Sequence, residues 1–404
     1  MTKKSAVPLG LAFLLGALSM VSPFSIDTFF PSLRAMQAEF DVDALTMQQT
    51  LSIYLFPYAV MSLVHGPLSD ALGRRIVVFG GTALYTLASI ACALAPGFGT
   101  LLAFRAMQGM TAGVGVTIGR AVIGDLYQGA DAQRLMNAVT VIFSIAPAIA
   151  PIIGGWIHVG YGWRGVFWML TALGLALMLA AHKLLPETHP VEKRIPLQFG
   201  PLLRNCIDIG RDGKFLALTL CGAMQFAGVM LFVGSAPVIV LDVWKLTETD
   251  FAQLFIPIVG GFMTGALVAG RIAGRVEPLK QLRFGLALPP LAGLCGVLLN
   301  HFFDPPRIAH QLLIYLTALA SSSCFRCSRC VRSRCIRPCA ARCRRCRPSY
   351  SWRSAPWWSG SRRRCCRRTW NGCRSGSWRS VWRRSRWPHS RIGSAVCNIR
   401  IRRT

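Results

Sequence analysis

Acidic residues are scarce in this sequence, and the carboxyl-terminal tail has none. Only 16 of the 404 residues are Asp or Glu, and all of them precede residue 323. Residues 323–404 hold 24 of the 45 basic residues, which leaves 21 basic against 16 acidic residues in residues 1–322. The formal charge of +29 therefore comes mostly from the tail. It does not make the first 322 residues a nucleic-acid-binding protein.

Closely spaced cysteines and catalytic motifs are also missing from residues 1–322. The four cysteines there, Cys92, Cys206, Cys221 and Cys295, lie too far apart in sequence to indicate a disulfide framework or a zinc knuckle. The sequence has no Gly-rich phosphate-binding loop, no metal-binding cluster and no nucleophile motif. We therefore expect a protein that is not an enzyme and needs no metal or cofactor.

Long apolar segments make up most of the first 322 residues. Short charged or Pro/Gly-rich loops interrupt them about every 20 residues, the length of helix that crosses about 30 Å of hydrocarbon. The predicted spans are 9–31, 47–66, 76–95, 99–121, 135–157, 164–183, 214–237, 251–271, 282–301 and an incomplete 308–322. The sequence thus predicts an all-α polytopic membrane protein with nine to ten readable spans.

The basic residues of the loops predict the orientation of the chain. With the N-terminus in the cytoplasm, sixteen Lys and Arg residues lie on the cytoplasmic side and only four lie outside. The longest polar connection, residues 184–213, follows six spans. We therefore expect a six-helix half at 1–183, a cytoplasmic linker at 184–213 and an incomplete second half at 214–322.

The connection between the second and third spans carries a dense motif. It reads Gly66-Pro67-Leu68-Ser69-Asp70-Ala71-Leu72-Gly73-Arg74-Arg75. A tight turn with Gly at both ends, a carboxylate at a helix end and paired Arg residues can lock two helices through a charge network. The alternative is an ordinary basic turn that obeys the positive-inside rule.

Two charged residues lie within the predicted spans and away from the first and last two positions of each span. Arg105 is in the fourth span, where a guanidinium is costly unless it is paired or hydrated. Asp27 is the only carboxylate of the first span, and the opposite directions of the two spans place both residues within about 10 Å of the outer surface. The two could pair across a cavity, where the carboxylate could exchange a proton. The alternatives are that Arg105 reaches the outer interface and that Asp27 is a surface carboxylate at a helix end.

The fifth span contains two prolines four residues apart, followed by a Gly pair. These residues are Pro147, Pro151, Gly154 and Gly155. Proline bends the helix, and glycine lets a neighbouring helix approach closely. The pattern predicts a pliable helix contact, with general Gly and Pro enrichment of membrane helices as the alternative.

These motifs together resemble the major facilitator superfamily. The decapeptide resembles its signature loop, Arg105-x-x-Gln108-Gly109 resembles its fourth-helix motif, and the fifth-span pattern is similar to that of its proton-exchanging exporters. The run from Ser22 to Leu33 looks like the branch that confers bicyclomycin and chloramphenicol resistance, Bcr/CflA. The resemblance covers residues 9–322.

The resemblance implies twelve helices in two six-helix halves. It also implies a monomer in the bacterial inner membrane that exports amphiphilic drug-like molecules in exchange for protons. By the same resemblance, Asp27 is the proton-coupling or substrate-sensing carboxylate and Arg105 its cationic partner. Asp70 with Arg74 forms a cytoplasmic latch, which in this superfamily engages the eleventh helix. Membrane lipid is then the expected surrounding, with no nucleic-acid partner.

The tail at residues 323–404 departs from this pattern abruptly. Arg, Cys, Ser, Trp and Pro dominate it and no apolar span follows, as when GC-rich codons for Ala, Leu and Val are translated one base out of frame. We interpret it as a frameshift that replaces spans eleven and twelve. A zinc module built on its Cys-x-x-Cys pairs and an Arg/Trp-rich nucleic-acid-binding tail are the alternatives.

Three functional hypotheses remain open from the sequence. The first is a proton-coupled exporter, and the second is a metabolite uptake transporter of the same fold. The third is an inactive, truncated transporter with a basic interaction tail, because the second half as written lacks the helices that would complete it.

Overall fold

The structure is a computed structural model that describes residues 9–272, 276–303 and 305–322. Within these ranges it is a bundle of α-helices without a β-strand. The helices are α1 (Leu9–Asp27), α2 (Leu33–Phe40), α3 (Ala44–Leu72), α4 (Arg74–Ala93), α5 (Phe98–Ala112), α6 (Val114–Leu126), α7 (Gly129–Leu184), α8 (Phe199–Gly210), α9 (Gly213–Gly234), α10 (Ala252–Ile272), α11 (Pro278–Phe302) and α12 (307–322). Short 3-10 helices lie at Phe30–Ser32 and Val191–Lys193, and a π-helix lies at Val238–Val243.

The helices confirm the predicted multi-span membrane fold. In the described ranges, eight helical stretches are long and apolar enough to cross a membrane. These eight stretches cover nine predicted spans, because the stretch in α7 is long enough for two. Helices α5 and α6 together form the single stretch that matches the fourth span. The tenth prediction coincides with α12 (307–322). Spans eleven and twelve, and the interpretation of the tail at 323–404, lie outside the described residues.

Helix α7 consists of two helices that meet at Gly162. At 1.5 Å per residue, its apolar stretch of 54 residues would extend about 80 Å if it were straight, which is far more than a bilayer is thick. Gly162 has φ of 71° and ψ of −179°, a conformation that only glycine adopts without strain. The fifth and sixth predicted spans therefore lie on either side of this residue.

Glycines set the closest helix contacts of the bundle. A Cβ atom on Gly109 of α5 would overlap the carbonyl oxygen of Tyr54 in α3, and a Cβ on Gly115 of α6 would overlap the carbonyl oxygen of Leu18 in α1. Small residues allow helices to pack backbone to backbone in a membrane, where burial of apolar surface provides no driving force between them. The fourth span is thereby held against both the first and the second.

The bundle has two ends, which we name after one residue at each. At the Gly73 end, α3 meets α4, and at the Asp27 end, α1 finishes and α2 leads into α3. Successive spans run in opposite directions. The C-terminal ends of α6 and α7 and the N-terminal end of α9 therefore all lie at the Gly73 end. Helix α8 lies in the connection between α7 and α9. The division of the chain into two six-helix halves stays a prediction.

We expect Gly115→Ala to destabilise the bundle by about 1–3 kcal/mol, because the added methyl must push α6 away from the backbone of α1. The matched control is Gly124→Ala in the same helix, where a Cβ has no atom within 4 Å. That control should be neutral or stabilise by up to about 1 kcal/mol through helix propensity. Thermal unfolding of the detergent-solubilised protein measures both changes. Equal midpoints for the two variants would contradict the close contact.

Candidate functional site

Arg105 is fully buried in the middle of α5. Its Nη1 donates to the carbonyl oxygen of Ser25 at 3.2 Å and to Oε1 of Gln108 at 2.9 Å. The guanidinium carbon lies 4.3 Å from the ring centroid of Phe29 and 4.5 Å from that of Tyr54. Two aromatic faces and two neutral oxygens therefore hold the positive charge. The alternative that this side chain reaches the outer interface is wrong, because none of its surface is exposed.

The Arg105 guanidinium still has unused donors. Its Nε and Nη2 atoms are buried and have no hydrogen-bond partner within the described part of the chain. A buried donor left without an acceptor costs about 1–3 kcal/mol, and more when it is charged. Buried donors without partners are rare in folded proteins and call for an explanation. One explanation is that Nε and Nη2 of Arg105 bind an acceptor that enters the bundle.

Gln108 connects Arg105 to a polar network in the apolar interior. While its Oε1 accepts from Arg105, its Nε2 donates to Oγ of Ser89 at 2.8 Å. The hydroxyl groups of Ser25 and Tyr85 share a short hydrogen bond. The spacing of three residues between Arg105 and Gln108 places both on one helix face, as the fourth-helix motif requires. Sequence reasoning missed Tyr85 and Ser89, although a polar pair within the apolar third span was a usable signal.

Asp27 is the last residue of α1 and is 4% exposed, so it is not a surface carboxylate. The expected pairing with Arg105 is not formed: among the described residues, no ion pair within 4.0 Å joins the two. The physical reason is the direction of Arg105, whose side chain contacts Ser25 and Phe29 on either side of Asp27. The carboxylate and the guanidinium are thus both buried, and among the described residues no salt bridge joins them.

An ionic junction forms at the Gly73 end around Arg74. Nη1 of this residue lies 2.5 Å from Oδ1 of Asp70, and its Nε lies 3.2 Å from Oδ2 of Asp125 at the end of α6. Nη1 also donates to the hydroxyl oxygen of Ser69. Arg74 is almost fully buried between these acceptors. It therefore joins α3, α4 and α6 at one point.

Glu187, just beyond α7, caps the start of α4. Its Oε1 accepts from the backbone N–H of Arg74 at 3.0 Å, and its Oε2 accepts from that of Arg75 at 3.2 Å. The first N–H groups of a helix lack internal partners, and Gly73 has no side chain to supply one. Gly73 has φ of 105°, and a Cβ there would lie 2.7 Å from both Glu187 and Arg194. Glycine is thus required for the backbone and for the cap.

The connection between the second and third spans is shorter than its sequence predicts. Helix α3 continues through Gly66 and Pro67 to Leu72, so the turn between α3 and α4 is Gly73 alone. A Cβ on Gly66 would have no atom within 4 Å. The prediction that a glycine lies at each end of the turn is therefore wrong for Gly66, which lies inside α3. The reason is that Pro67 bends this long helix without ending it.

The predicted fifth-span motif packs at the Asp27 end. Its residues are Pro147, Pro151, Gly154 and Gly155, all inside α7. A Cβ on Gly154 would overlap the carbonyl oxygen of Thr28, next to Asp27. A Cβ on Gly155 would overlap the carbonyl oxygen of Glu248, which precedes α10. This part of α7 therefore contacts both the end of α1 and the segment that leads into α10.

Further contacts at the Asp27 end join α2 and α3 to the segment around the π-helix. Arg34 of α2 forms an ion pair with Asp242, and Nε2 of Gln48 in α3 donates to the carbonyl oxygen of Gly234 at 2.8 Å. No sequence motif identified these pairs, because each joins residues about 200 positions apart. They close the bundle at this end.

A largely apolar cavity of about 430 Å³ lies between α9, the π-helix, α10, α11 and α12. Phe232 and Trp244 line it, and its polar side chains include Asn300 and His310, which are hydrogen-bonded to each other at 3.0 Å. Its lining includes neither Asp27 nor Arg105. The structure thus separates this cavity from the charged residues that the sequence identified.

We expect Glu187→Ala to lower the stability of the protein by about 1–2 kcal/mol, because it removes an acceptor from two N–H groups at the start of α4. Glu192→Ala, in the same connection and exposed, is the matched control and should change stability little. Thermal unfolding in detergent provides the measurement. A Glu187 variant as stable as the Glu192 variant would show that the cap contributes nothing.

Comparison with known proteins identifies the family of this architecture. The profile of the Major Facilitator Superfamily matches residues 15–325. The chain is 31% identical over 314 residues to the uncharacterized MFS-type transporter YdgK of Bacillus subtilis, covering 77% of this chain and 78% of that protein. It is 27% identical over 284 residues to a bicyclomycin resistance protein homolog of Haemophilus influenzae, covering 70% and 71%.

A solved structure shares the fold. The partially occluded, inward-open xylose transporter XylE from E. coli matches with a TM-score of 0.60 at 13% identity, over 80% of this chain and 87% of that one. The relatives confirm the resemblance that the motifs of the first and fourth spans indicated. With the family profile covering most of its length, the chain belongs to the major facilitator superfamily of membrane transporters.

Proposed function

We propose that this transporter exports amphiphilic drug-like molecules across the bacterial inner membrane in exchange for protons. Its similarity to a bicyclomycin resistance protein homolog supports the substrate class. The excess of Lys and Arg in one set of loops supports a cytoplasmic N-terminus. The Gly73 end of the bundle then also faces the cytoplasm. Export then runs from the Gly73 end toward the Asp27 end.

The observation that carries the proposal is the pair of Arg105 donors that have no hydrogen-bond partner among the described residues. A drug with a carbonyl or ether oxygen can accept from Nε and Nη2 without displacing any bond that the guanidinium already makes. The buried rings of Phe29 and Tyr54 pack on the guanidinium, so a drug that reaches these donors would also meet apolar side chains. An amphiphilic molecule matches this combination of acceptor and apolar contact.

For proton exchange we propose Asp27, a buried carboxylate at the end of α1. Ser25 and Phe29, which contact Arg105, each lie two residues from Asp27 in the sequence. We infer that a drug bound to Arg105 also donates a hydrogen bond to the ionised Asp27 carboxylate when the bundle opens. A proton on Asp27 removes that acceptor and its negative charge. In this proposal drug and proton compete for Asp27, which is the condition for exchanging one for the other.

Alternating access requires the two ends of the bundle to open in turn. We propose that the six-helix halves move as units, with the linker at 184–213 between them. The ion pair of Arg34 with Asp242 and the contact of Gly155 with Glu248 connect the proposed halves at the Asp27 end. These contacts would hold that end closed, while Asp70 and Arg74 would act as a latch when the Gly73 end closes.

We expect Asp27→Asn to reduce proton-driven drug export by about 10- to 100-fold, the usual range of coupling between two ligands. The substitution keeps the size of the side chain but removes its exchangeable proton. The measurement is bicyclomycin movement in proteoliposomes under an imposed pH gradient. The matched control is Asp43→Asn, because Asp43 is an exposed residue that caps α3 and Asn caps a helix equally well.

Unchanged proton-driven export by Asp27→Asn would remove the coupling role of this residue. Drug accumulation in the direction of the proton flow would instead indicate an uptake transporter. If the chain is inactive and regains export when the gene is translated in the alternative frame after codon 320, the loss belongs to the tail at 323–404.

A further inference from the structure

Helix α8 (Phe199–Gly210) is strongly amphipathic. At about 100° per residue, the apolar residues Phe199, Leu203 and Ile207 fall on one side of the helix. Their side chains are large, and they are 62%, 63% and 45% exposed. A soluble surface helix would bury such a face against the protein core, whereas this face has no protein partner among the described residues.

The opposite side of α8 is polar, with two arginines at the border between the faces. Arg204 and Arg211 are seven residues apart, so they lie on nearly the same line along the helix, next to Ile207. Both are exposed. Asp208 lies farther from the apolar face. Basic residues that flank an apolar face are typical of helices that lie in a membrane surface, because their alkyl stems cross the apolar layer while the charges reach the headgroups.

Both flanks of α8 are fixed at the Gly73 end. The backbone N–H of Ile195, four residues before the helix, donates to the carbonyl oxygen of Asp70 at 3.2 Å. The membrane-spanning part of α9 begins at Phe215, five residues after α8 ends. Each short connection extends at most about 3.5 Å per residue. Helix α8 is therefore confined to within about 20 Å of the membrane boundary.

Contacts within the described part of the chain do not account for the apolar face. The main packing partner of α8 is α9, the helix that follows it. None of the α8 residues whose side chains the structure describes belongs to the hydrophobic core. An exposed apolar face of this kind marks an interaction site. Next to the bilayer, a matching partner has an apolar interior for the Phe, Leu and Ile side chains and a charged surface for the arginines.

We propose that α8 lies flat in the membrane surface at the Gly73 end and binds anionic lipid. Phe199, Leu203 and Ile207 insert among the acyl chains, and Arg204 and Arg211 contact the negatively charged headgroups. The proposal depends on membership in a membrane-transporter family and not on drug export. Its failure would therefore leave the proposed function untouched, and the reverse also holds.

Amide hydrogen exchange of the full chain in lipid nanodiscs tests this proposal, because exchange in peptides covering α8 reports whether the helix is docked. The nanodiscs contain phosphatidylcholine alone or phosphatidylcholine with phosphatidylglycerol. We expect α8 amides to exchange about tenfold more slowly in the anionic nanodiscs. Leu203→Asp should remove this protection, whereas Asp208→Asn on the polar face should keep it. Arg204→Gln with Arg211→Gln should make the two lipid compositions equivalent.

Two results would overturn the proposal. The first is protection of α8 that survives Leu203→Asp, since the helix would then dock on protein. The second is protection that is equal in neutral and anionic nanodiscs for the native chain, since the arginines would then have no headgroup role. Unchanged exchange in peptides from α3 and α4 confirms that each variant retains its fold.

Discussion

The rest of the structure depends on how the bundle buries the positive charge of Arg105. A guanidinium within a membrane span is expensive unless its surroundings compensate it. Here the compensation comes from the carbonyl oxygen of Ser25, the amide of Gln108 and two aromatic faces, and it is incomplete. A carboxylate partner at Asp27 would satisfy the charge and leave nothing for a ligand. The incomplete arrangement keeps a charged donor available in an apolar interior.

Close backbone contacts support this buried charge from both sides. Gly109 and Gly115 hold the fourth span against α3 and α1, which carry Tyr54 and the residues around Asp27. At the Gly73 end, Arg74 joins three helices, and Glu187 caps α4 from a distance of more than 100 residues. The contacts of Gly154 with Thr28 bring the fifth-span motif to the Asp27 end. Motifs that are separate in sequence therefore stabilise the same helix bundle through contacts between different helices.

Much of the fold could be predicted from sequence, because hydrophobic length alone identifies a membrane span. The positions of Arg105, Gln108 and Arg74 followed from motifs whose residues lie within one helix turn or one junction. The direction of the Arg105 side chain could not be predicted, because it depends on the Ser25 carbonyl group and on the rings of Phe29 and Tyr54, which are distant in sequence. The cap at Glu187 and the ion pair of Arg34 with Asp242 join distant segments, and no local pattern encodes such pairs. The continuation of α3 through Gly66 was missed because Gly and Pro normally indicate a turn, whereas a long membrane helix accommodates both.

The most direct test of the account is the proton release that accompanies drug binding to the purified protein. In weakly buffered detergent solution with a pH-sensitive dye, the competition between drug and proton predicts that bicyclomycin binding releases protons, and that Asp27→Asn binds without release. Binding to the native chain with no proton release, or with proton uptake, would contradict the account that Arg105 and Asp27 together form the coupling site.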